Sequence, residues 1–331
     1  MTRRGRLAGA CRGLMAGACL ALAWGLAARA AQQSVFRSSV DSVVVDVSVF
    51  SSGRPVGDLT TADFEVRDKG IVQAVVDMSY ETLPIDVTLV IDVSGSVTGP
   101  LLDALTRAIN GVGTRLRPGD RARPVTFNDR IVEHVDLPIV AGPALTAALN
   151  STSGHTTLLD AIAMALIAEP QAGRRQLAIV FTDGRDNLSI LNESAVLDVA
   201  RRSGPSVFVV AATAGTASPL ITRLGVRLAT AVPHEALFRS LANLTGGQFA
   251  VLFRNQDLSG SFVQAFDAFR TSYVLRYTVQ GVPRAGWHDI TVQVTRPGDY
   301  EIRARKGYFG DAGPGVSDPG VSGPGVSGPG V

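Results

Sequence analysis

Hydrophobic positions in this chain follow two different periods, and the changes of period divide the chain into a middle segment and two flanks. Val43, Val45, Val47 and Val49 recur at every second position, with Asp46 and Ser48 between them, which predicts a half-buried β-strand. Similar short runs, separated by Gly and Pro turn signals, continue to residue 80 and return beyond residue 270. Both flanks are therefore predicted to be β. The expected strands are "SVVVDVSVF", "DFEVRDKG" and "IVQAVVDMSY" before the middle of the chain, and "SYVLRYTVQ", "HDITVQVTR" and "YEIRARKGYF" after it.

Neither flank alone supplies enough strands for a stable structure, since a few isolated strands are marginal in water. Taken together, the six strands approach the size of an immunoglobulin-like sandwich. We therefore expect residues 31–83 and 271–310 to form one small β-sandwich, into which the middle of the chain is inserted.

The middle segment, residues 84–270, alternates strand-like apolar runs with helix-like stretches. "IDVTLVIDV" is a nearly continuous apolar run, which is typical of a strand covered on both faces. The next stretch has apolar residues at helical spacing, namely Leu101, Leu105, Ala108, Ile109 and Val112. Such pairs recur along the segment. The pattern predicts an α/β fold, with a Rossmann-like, doubly wound and mostly parallel sheet between two layers of helices.

The two ends of the chain differ in composition from the parts that are predicted to fold. Residues 1–30 combine an arginine-rich start, an apolar stretch and an Ala-Arg-Ala site, which are the parts of a secretory signal peptide. The apolar stretch is short for a membrane span, and no second long apolar run follows. We expect export to the periplasm, the cell surface or the exterior, with no stable span after signal removal. Residues 311–331 repeat Pro-Gly-Val-Ser-Gly and are predicted to be disordered.

The positions of the cysteines and the net charge further limit the classes of function that the chain could have. Both cysteines, Cys11 and Cys19, lie in the predicted leader, so the mature protein is expected to have no disulfide. The net charge of the whole chain is +2, and five arginines lie in the leader without any Asp or Glu. Because the remainder has no basic excess, we expect no nucleic-acid partner.

Oxygen-bearing side chains gather where the predicted sheet meets its helices. "VIDVSGSV" places Asp92, Ser94 and Ser96 at alternate positions after the first strand of the middle segment, at the edge where doubly wound folds bind ligands. Ser and Asp here are also common helix caps and turn formers. Two further junctions add Thr156, just before a helix, and Asp183, directly after an apolar strand. Hydroxyls and carboxylates are the hard ligands that Mg²⁺ prefers.

In this order, Asp-x-Ser-x-Ser, then Thr, then Asp resembles the metal-ion-dependent adhesion site of von Willebrand factor type A domains. The likeness covers the middle segment, and aligning "HTTLLDA" with the family's Gly-Thr-Ala-Leu-Tyr-Asp-Ala pattern selects Thr156 over Thr157. The flanking stretches "RPVGDLTTADFEVRDKG" and "RARKGYF" resemble the secreted bacterial VWFA-related proteins best known from Acidobacteria.

The resemblance implies a chemistry for the site. It implies that Asp92, Ser94, Ser96, Thr156 and Asp183 hold one divalent cation, Mg²⁺ or alternatively Mn²⁺ or Ca²⁺. In the family a Glu or Asp of a protein partner completes the coordination of the metal. The expected function is therefore that of an exported adhesion or binding module whose partner is a protein with an exposed carboxylate.

The sequence contains no motif that supports an enzymatic function. The chain has no G-x-S-x-G elbow and no P-loop, and no recognisable motif places a general acid or base. We expect a binding protein and not an enzyme. Two alternatives stay open: a structural or scaffold protein whose metal site only stabilises the fold or is not functional, and a Mg²⁺-dependent hydrolase.

Overall fold

The computed structural model describes residues 42–95, 97, 99–134, 154–213, 232–253 and 257–310. The signal peptide predicted at 1–30 and the repeat tail predicted at 311–331 lie outside the described residues. In the described part of the chain, no helix is both long and apolar enough to cross a membrane.

Fifteen strands and five α-helices are described, numbered in chain order. The strands are β1 (Ser42–Ser51), β2 (Arg54–Pro55), β3 (Phe64–Asp68), β4 (Ile71–Gln73), β5 (Val75–Tyr80), β6 (Ile85–Asp92), β7 (Arg121–Phe127), β8 (Ile131–Glu133), β9 (Arg175–Thr182), β10 (Ser206–Thr213), β11 (Gln248–Phe253), β12 (Tyr273–Thr278), β13 (Gly286–Val294), β14 (Glu301–Ala304) and β15 (Gly307–Gly310). The helices are α1 (Pro100–Gly113), α2 (Leu158–Leu166), α3 (Glu193–Arg202), α4 (Glu235–Thr245) and α5 (Leu258–Arg270).

The middle of the chain, β6 to β11 with α1 to α5, is called the α/β domain below. Its sheet has the order β11-β10-β9-β6-β7-β8, and all neighbours are parallel except β7 and β8. Because β6 lies in the centre, its side chains are buried on both faces. Leu89 and Ile91 pack on the side of α1 and α5, and Val90 packs on the side of α2, α3 and α4. The predicted fold class is therefore confirmed.

The two flanks build two further sheets, together called the sandwich. One has the order β14-β1-β12-β5, with β2 added to β1, and the other has the order β15-β13-β3-β4. β1 from the first flank pairs antiparallel with β12 from the second, with Val45 opposite Leu275. The valines of the alternating run face a core that also contains Tyr273 and Tyr277. Strands from both flanks thus share one sheet, and the α/β domain lies between them in sequence.

Two segments predicted as single strands are each divided between the sheets. "IVQAVVDMSY" breaks at Ala74, so that β4 and β5 join different sheets, and "YEIRARKGYF" breaks between β14 and β15 in the same way. At the first break the buried side chain of Gln73 donates to the Gln280 carbonyl at 2.9 Å and accepts from the Gln280 N–H at 2.9 Å. Strands that turn a corner between packed sheets are common in sandwiches, but alternation alone does not reveal the corner.

The outer face of the first sandwich sheet lies against the start of the parallel strands. Asp46 on β1 accepts from Arg175 Nε at 2.6 Å, and Arg303 on β14 donates to Gln248 Oε1 at 2.6 Å. The backbone N–H of Lys306 also donates to the Leu244 carbonyl at 2.9 Å. The polar face of β1 is therefore covered in part by the α/β domain.

Gly247, directly before β11, tests how closely the chain approaches β10 within the α/β domain. A Cβ on Gly247 would lie 1.9 Å from the Val207 carbonyl oxygen in β10, which is backbone and cannot rotate away. We expect Gly247→Ala to lower the free energy of unfolding by about 2 kcal/mol or more, measured by urea unfolding. Gly154→Ala is the matched control, since a Cβ there meets no atom within 4 Å. Equal stability of the two variants would contradict the described approach of Gly247 to β10.

Candidate functional site

Asp92 is the last residue of β6 and is completely buried. Its Oδ1 accepts the backbone N–H of Ser94 at 2.9 Å and the Ser94 hydroxyl at 2.5 Å. Its Oδ2 accepts the hydroxyl of Thr182, the last residue of β9, at 2.9 Å. Because β6 and β9 are parallel neighbours, with Ile91 opposite Phe181, these strand ends meet at one edge of the sheet.

Asp183 follows Thr182 at the same edge. Its Oδ1 accepts the backbone N–H of Arg185 at 3.0 Å, and Arg185 Nε lies 3.5 Å from its Oδ2. The Arg185 side chain is 73% exposed, so this ion pair is a surface contact and contributes little. The turn is held by Gly184, whose N–H donates to the Thr182 hydroxyl at 2.9 Å.

Thr156 is buried just before α2, where hydrogen bonds of its backbone hold it in place. Its N–H donates to Asn187 Oδ1 at 2.8 Å, and its carbonyl accepts from the N–H groups of Asn187 and Leu188, each at 3.1 Å. These bonds fix the residue to the loop after Asp183 without using its hydroxyl. The hydroxyl of Thr157, by contrast, donates to the Asn128 carbonyl at 3.0 Å.

Four of the five predicted site residues are thus tied to the same edge of the sheet: Asp92, Ser94, Thr156 and Asp183. The fifth, Ser96, lies outside the described residues. Sequence reasoning missed Thr182 and Asn187, which position Asp92 and Thr156. The signal for Thr182 was a hydroxyl at the end of the apolar run "IVFTD", immediately before Asp183.

The electrostatics of this edge suit a cation. Burial raises the pKa of the Asp92 carboxyl, the charge of Asp183 adds to this rise, and the hydrogen bonds from Ser94 and Thr182 oppose it. Among the described residues, no Arg, Lys or His forms an ion pair with Asp92. A buried carboxylate without a cationic partner costs free energy. Two carboxylates with hydroxyls are a donor set that fits a hard divalent cation.

Other acidic residues of the α/β domain have structural partners. Asp86, at the opposite end of β6, binds Arg174 Nε through both carboxylate oxygens, at 2.9 and 2.8 Å. Asp160 accepts the backbone N–H groups of Ile190 and Leu191, and Asp186 accepts the N–H of Leu159 at 2.9 Å. No cluster of three or more His, Cys, Asp or Glu side chains able to hold a metal occurs in the described part. The predicted ligand set contains only two carboxylates.

A family model for the von Willebrand factor type A domain matches residues 86–244. The match begins in β6, ends in α4 and includes the four described site residues. The fold and the match together define a Rossmann-like α/β domain of the von Willebrand factor type A class. The chain contains a von Willebrand factor type A domain at residues 86–244. A search of curated proteins found no match to the chain.

Several solved structures are similar to this chain at low sequence identity. The ArnB paralog VWA2 from Sulfolobus acidocaldarius is 12% identical, with 79% of this chain and 75% of that chain covered and a TM-score of 0.44. The von Willebrand factor type A protein from Catenulispora acidiphila is 11% identical, with 83% and 76% covered and a TM-score of 0.43. Manganese-loaded TRAP protein from Plasmodium vivax is 14% identical, with 73% and 98% covered and a TM-score of 0.40. The fold is assigned from the sheet order and the family match.

Proposed function

We propose that this protein is an exported, non-enzymatic binding module that uses one divalent cation to bind a carboxylate of a protein partner. The cation, Mg²⁺ or alternatively Mn²⁺ or Ca²⁺, would be held by Asp92, Ser94, Ser96, Thr156 and Asp183. The observation that carries the proposal is the fully buried Asp92 carboxylate, which has hydroxyl and N–H donors but no basic partner among the described residues.

When bound, the cation would supply an electrophilic position for an anionic oxygen. The residues of the chain position the groups that would hold it. Ser94 and Thr182 fix both oxygens of Asp92, while Asn187 holds Thr156 by its backbone. Since the Thr157 hydroxyl is bonded to the Asn128 carbonyl, Thr156 is the better candidate ligand of the two.

The loop that holds Thr156 also offers apolar contact to a partner. Leu188, whose N–H binds the Thr156 carbonyl, is 46% exposed, and Ile190 is 94% exposed. Exposed apolar side chains beside a charged site are a feature of protein interfaces, which combine an apolar centre with a polar rim. This favours a protein over a small ion as the bearer of the carboxylate.

Metal binding is tested first, by calorimetric titration with Mg²⁺ and Mn²⁺ and by melting temperature with and without EDTA. We expect the wild type to bind and to be stabilised by the metal. Asp92→Asn and Thr156→Val should each weaken binding at least about tenfold. In EDTA, Asp92→Asn should be at least as stable as the wild type, because it removes a buried charge.

Thr157→Val is the matched control, because it removes the neighbouring hydroxyl and should leave the metal affinity unchanged. Loss of binding in Thr157→Val but not in Thr156→Val would overturn the ligand assignment. Partner binding is tested on immobilised peptides that carry Glu or, as controls, Gln. Binding of the Glu peptides that survives EDTA would overturn the bridging role, whereas metal binding that only raises the melting temperature would indicate a structural site.

A further inference from the structure

A cavity of about 430 Å³ lies between the sandwich and the α/β domain. Its walls come from the outer face of β1 and β12 and from the starts of β9 and β10, where Arg175 and Ser206 lie. This is the end of the parallel sheet opposite to Asp92. The volume is in the range of pockets that bind small molecules. The cavity is called the interdomain pocket below.

Four arginines line the interdomain pocket, but only one carboxylate does. Two of the arginines already have carboxylate partners. Arg174 binds both oxygens of Asp86, and Arg175 donates to Asp46, the carboxylate of the lining, at 2.6 Å. The charges of these two arginines are therefore balanced within the protein.

The other two arginines, Arg276 and Arg305, are not balanced in this way. Arg305 donates to the carbonyls of Ser203, at 2.6 Å, and Gly307, at 3.1 Å, and no carboxylate lies within ion-pair distance of it among the described residues. Burial lowers the pKa of the Arg305 guanidinium, but an arginine keeps its charge near neutral pH. Its hydrogen-bond partners are thus neutral, and the charge of Asp46, which is already paired with Arg175, acts on Arg305 only from beyond ion-pair distance.

Arg276 is only weakly paired with a carboxylate. Its nearest carboxylate among the described residues is that of Asp77, whose Oδ2 is 3.9 Å from Arg276 Nε, at the limit of an ion pair. The same Nε is buried and has no hydrogen-bond partner. A buried N–H without an acceptor costs free energy. The Arg276 side chain as a whole is 43% exposed, so an anion in the pocket can approach it.

We propose that the interdomain pocket binds a small organic anion, a carboxylate or a phosphate ester, through Arg276 and Arg305. The planar guanidinium groups match the paired oxygens of both anions. The apolar residues Val44, Leu83 and Val274 in the lining suit a small hydrocarbon body on the ligand. Such a ligand would contact both the sandwich and the α/β domain, and would stabilise them together.

The test measures the melting temperature and the binding heat with inorganic phosphate, butyrate, benzoate and neutral butyramide at constant ionic strength. EDTA is present throughout, so that no anion can bind through a divalent cation at the Asp92 site. We expect phosphate, or the carboxylates, or both, to bind and to raise the melting temperature, and butyramide to have no effect. The two kinds of anion distinguish a phosphate ligand from a carboxylate ligand.

Arg276→Gln should weaken anion binding about tenfold or more, as expected for loss of a charged hydrogen-bond donor. Arg67→Gln is the matched control, because its side chain is 42% exposed against 43% for Arg276 and lies outside the pocket. If Arg276→Gln is itself unstable without anion, Arg305→Lys serves as the second variant and should also weaken binding.

Two results would overturn the proposal. One is the absence of binding heat for every anion with the wild type. The other is an equal rise of the melting temperature in the wild type, Arg276→Gln and Arg67→Gln, which would show that the anions act only through exclusion from the protein surface.

Discussion

Replacing Asp68 by alanine is expected to lower the free energy of unfolding by about 4 kcal/mol, and so to remove a large part of the stability of the protein. Asp68 is completely buried in the sandwich and is the common acceptor of three side chains. Tyr277 and Tyr308 donate to its Oδ2 at 3.0 and 2.9 Å, and His288 Nδ1 lies 2.7 Å from its Oδ1. Alanine would leave all three polar groups without this partner.

The expected loss of stability comes from unsatisfied polar groups and not from the smaller size of the alanine side chain. Two variants separate these causes. Asp68→Asn keeps an acceptor oxygen for the two tyrosines and should be clearly less destabilising than Asp68→Ala. Tyr308→Phe removes a single donor and should cost about 1 kcal/mol. Urea unfolding gives all three values. If Asp68→Ala and Tyr308→Phe were equally stable, Asp68 would not organise this cluster.

This cluster shows what local sequence patterns do not contain. Asp68 and His288 are 220 positions apart, and their pairing depends on the antiparallel alignment of β3 with β13. Periodicity reports which face of a strand is buried, but it does not report which buried polar residues meet across a sheet. The divided strands were missed for a related reason, since the chain turns from one sheet to the other at Ala74 without a Gly or Pro turn signal in the sequence.

The placement of Asp92 and Asp183 at one edge of the sheet was easier to predict, because both lie where a strand ends. A nearly continuous apolar run followed by Asp92, and another followed by Asp183, predicted two parallel strands that end at one edge of a sheet. The sequence did not show that β6 and β9 are immediate neighbours, because this depends on the crossover that places β7 on the other side of β6. The adjacency explains why Thr182 reaches Asp92. The likeness of the flanks to the secreted bacterial VWFA-related proteins stays a prediction.

Replacing Arg175 is expected to have the second large effect on stability, because this residue joins the sandwich to the α/β domain. Its side chain is 3% exposed, donates to Asp46 on β1 at 2.6 Å and to the Phe269 carbonyl of α5 at 2.8 Å, and also binds the Ser272 hydroxyl. The guanidinium carbon lies 4.0 Å from the centre of the Phe269 ring. We expect Arg175→Met to lower the free energy of unfolding by about 3 to 5 kcal/mol, because it leaves the Asp46 carboxylate at the junction without its cation.

The position of Arg175 also predicts how the variant unfolds. Trp287, the only tryptophan outside residues 1–30, lies in β13 of the sandwich, so its fluorescence reports on the sandwich, while the helical circular dichroism reports on the α/β domain. In Arg175→Met the two signals should change at different urea concentrations, because the junction is weakened. Arg174→Met is the control, since Arg174 pairs with Asp86 inside the α/β domain and its loss should leave the two transitions coincident. Coincident transitions in both variants, with equal stability, would mean that Arg175 does not couple the sandwich to the α/β domain.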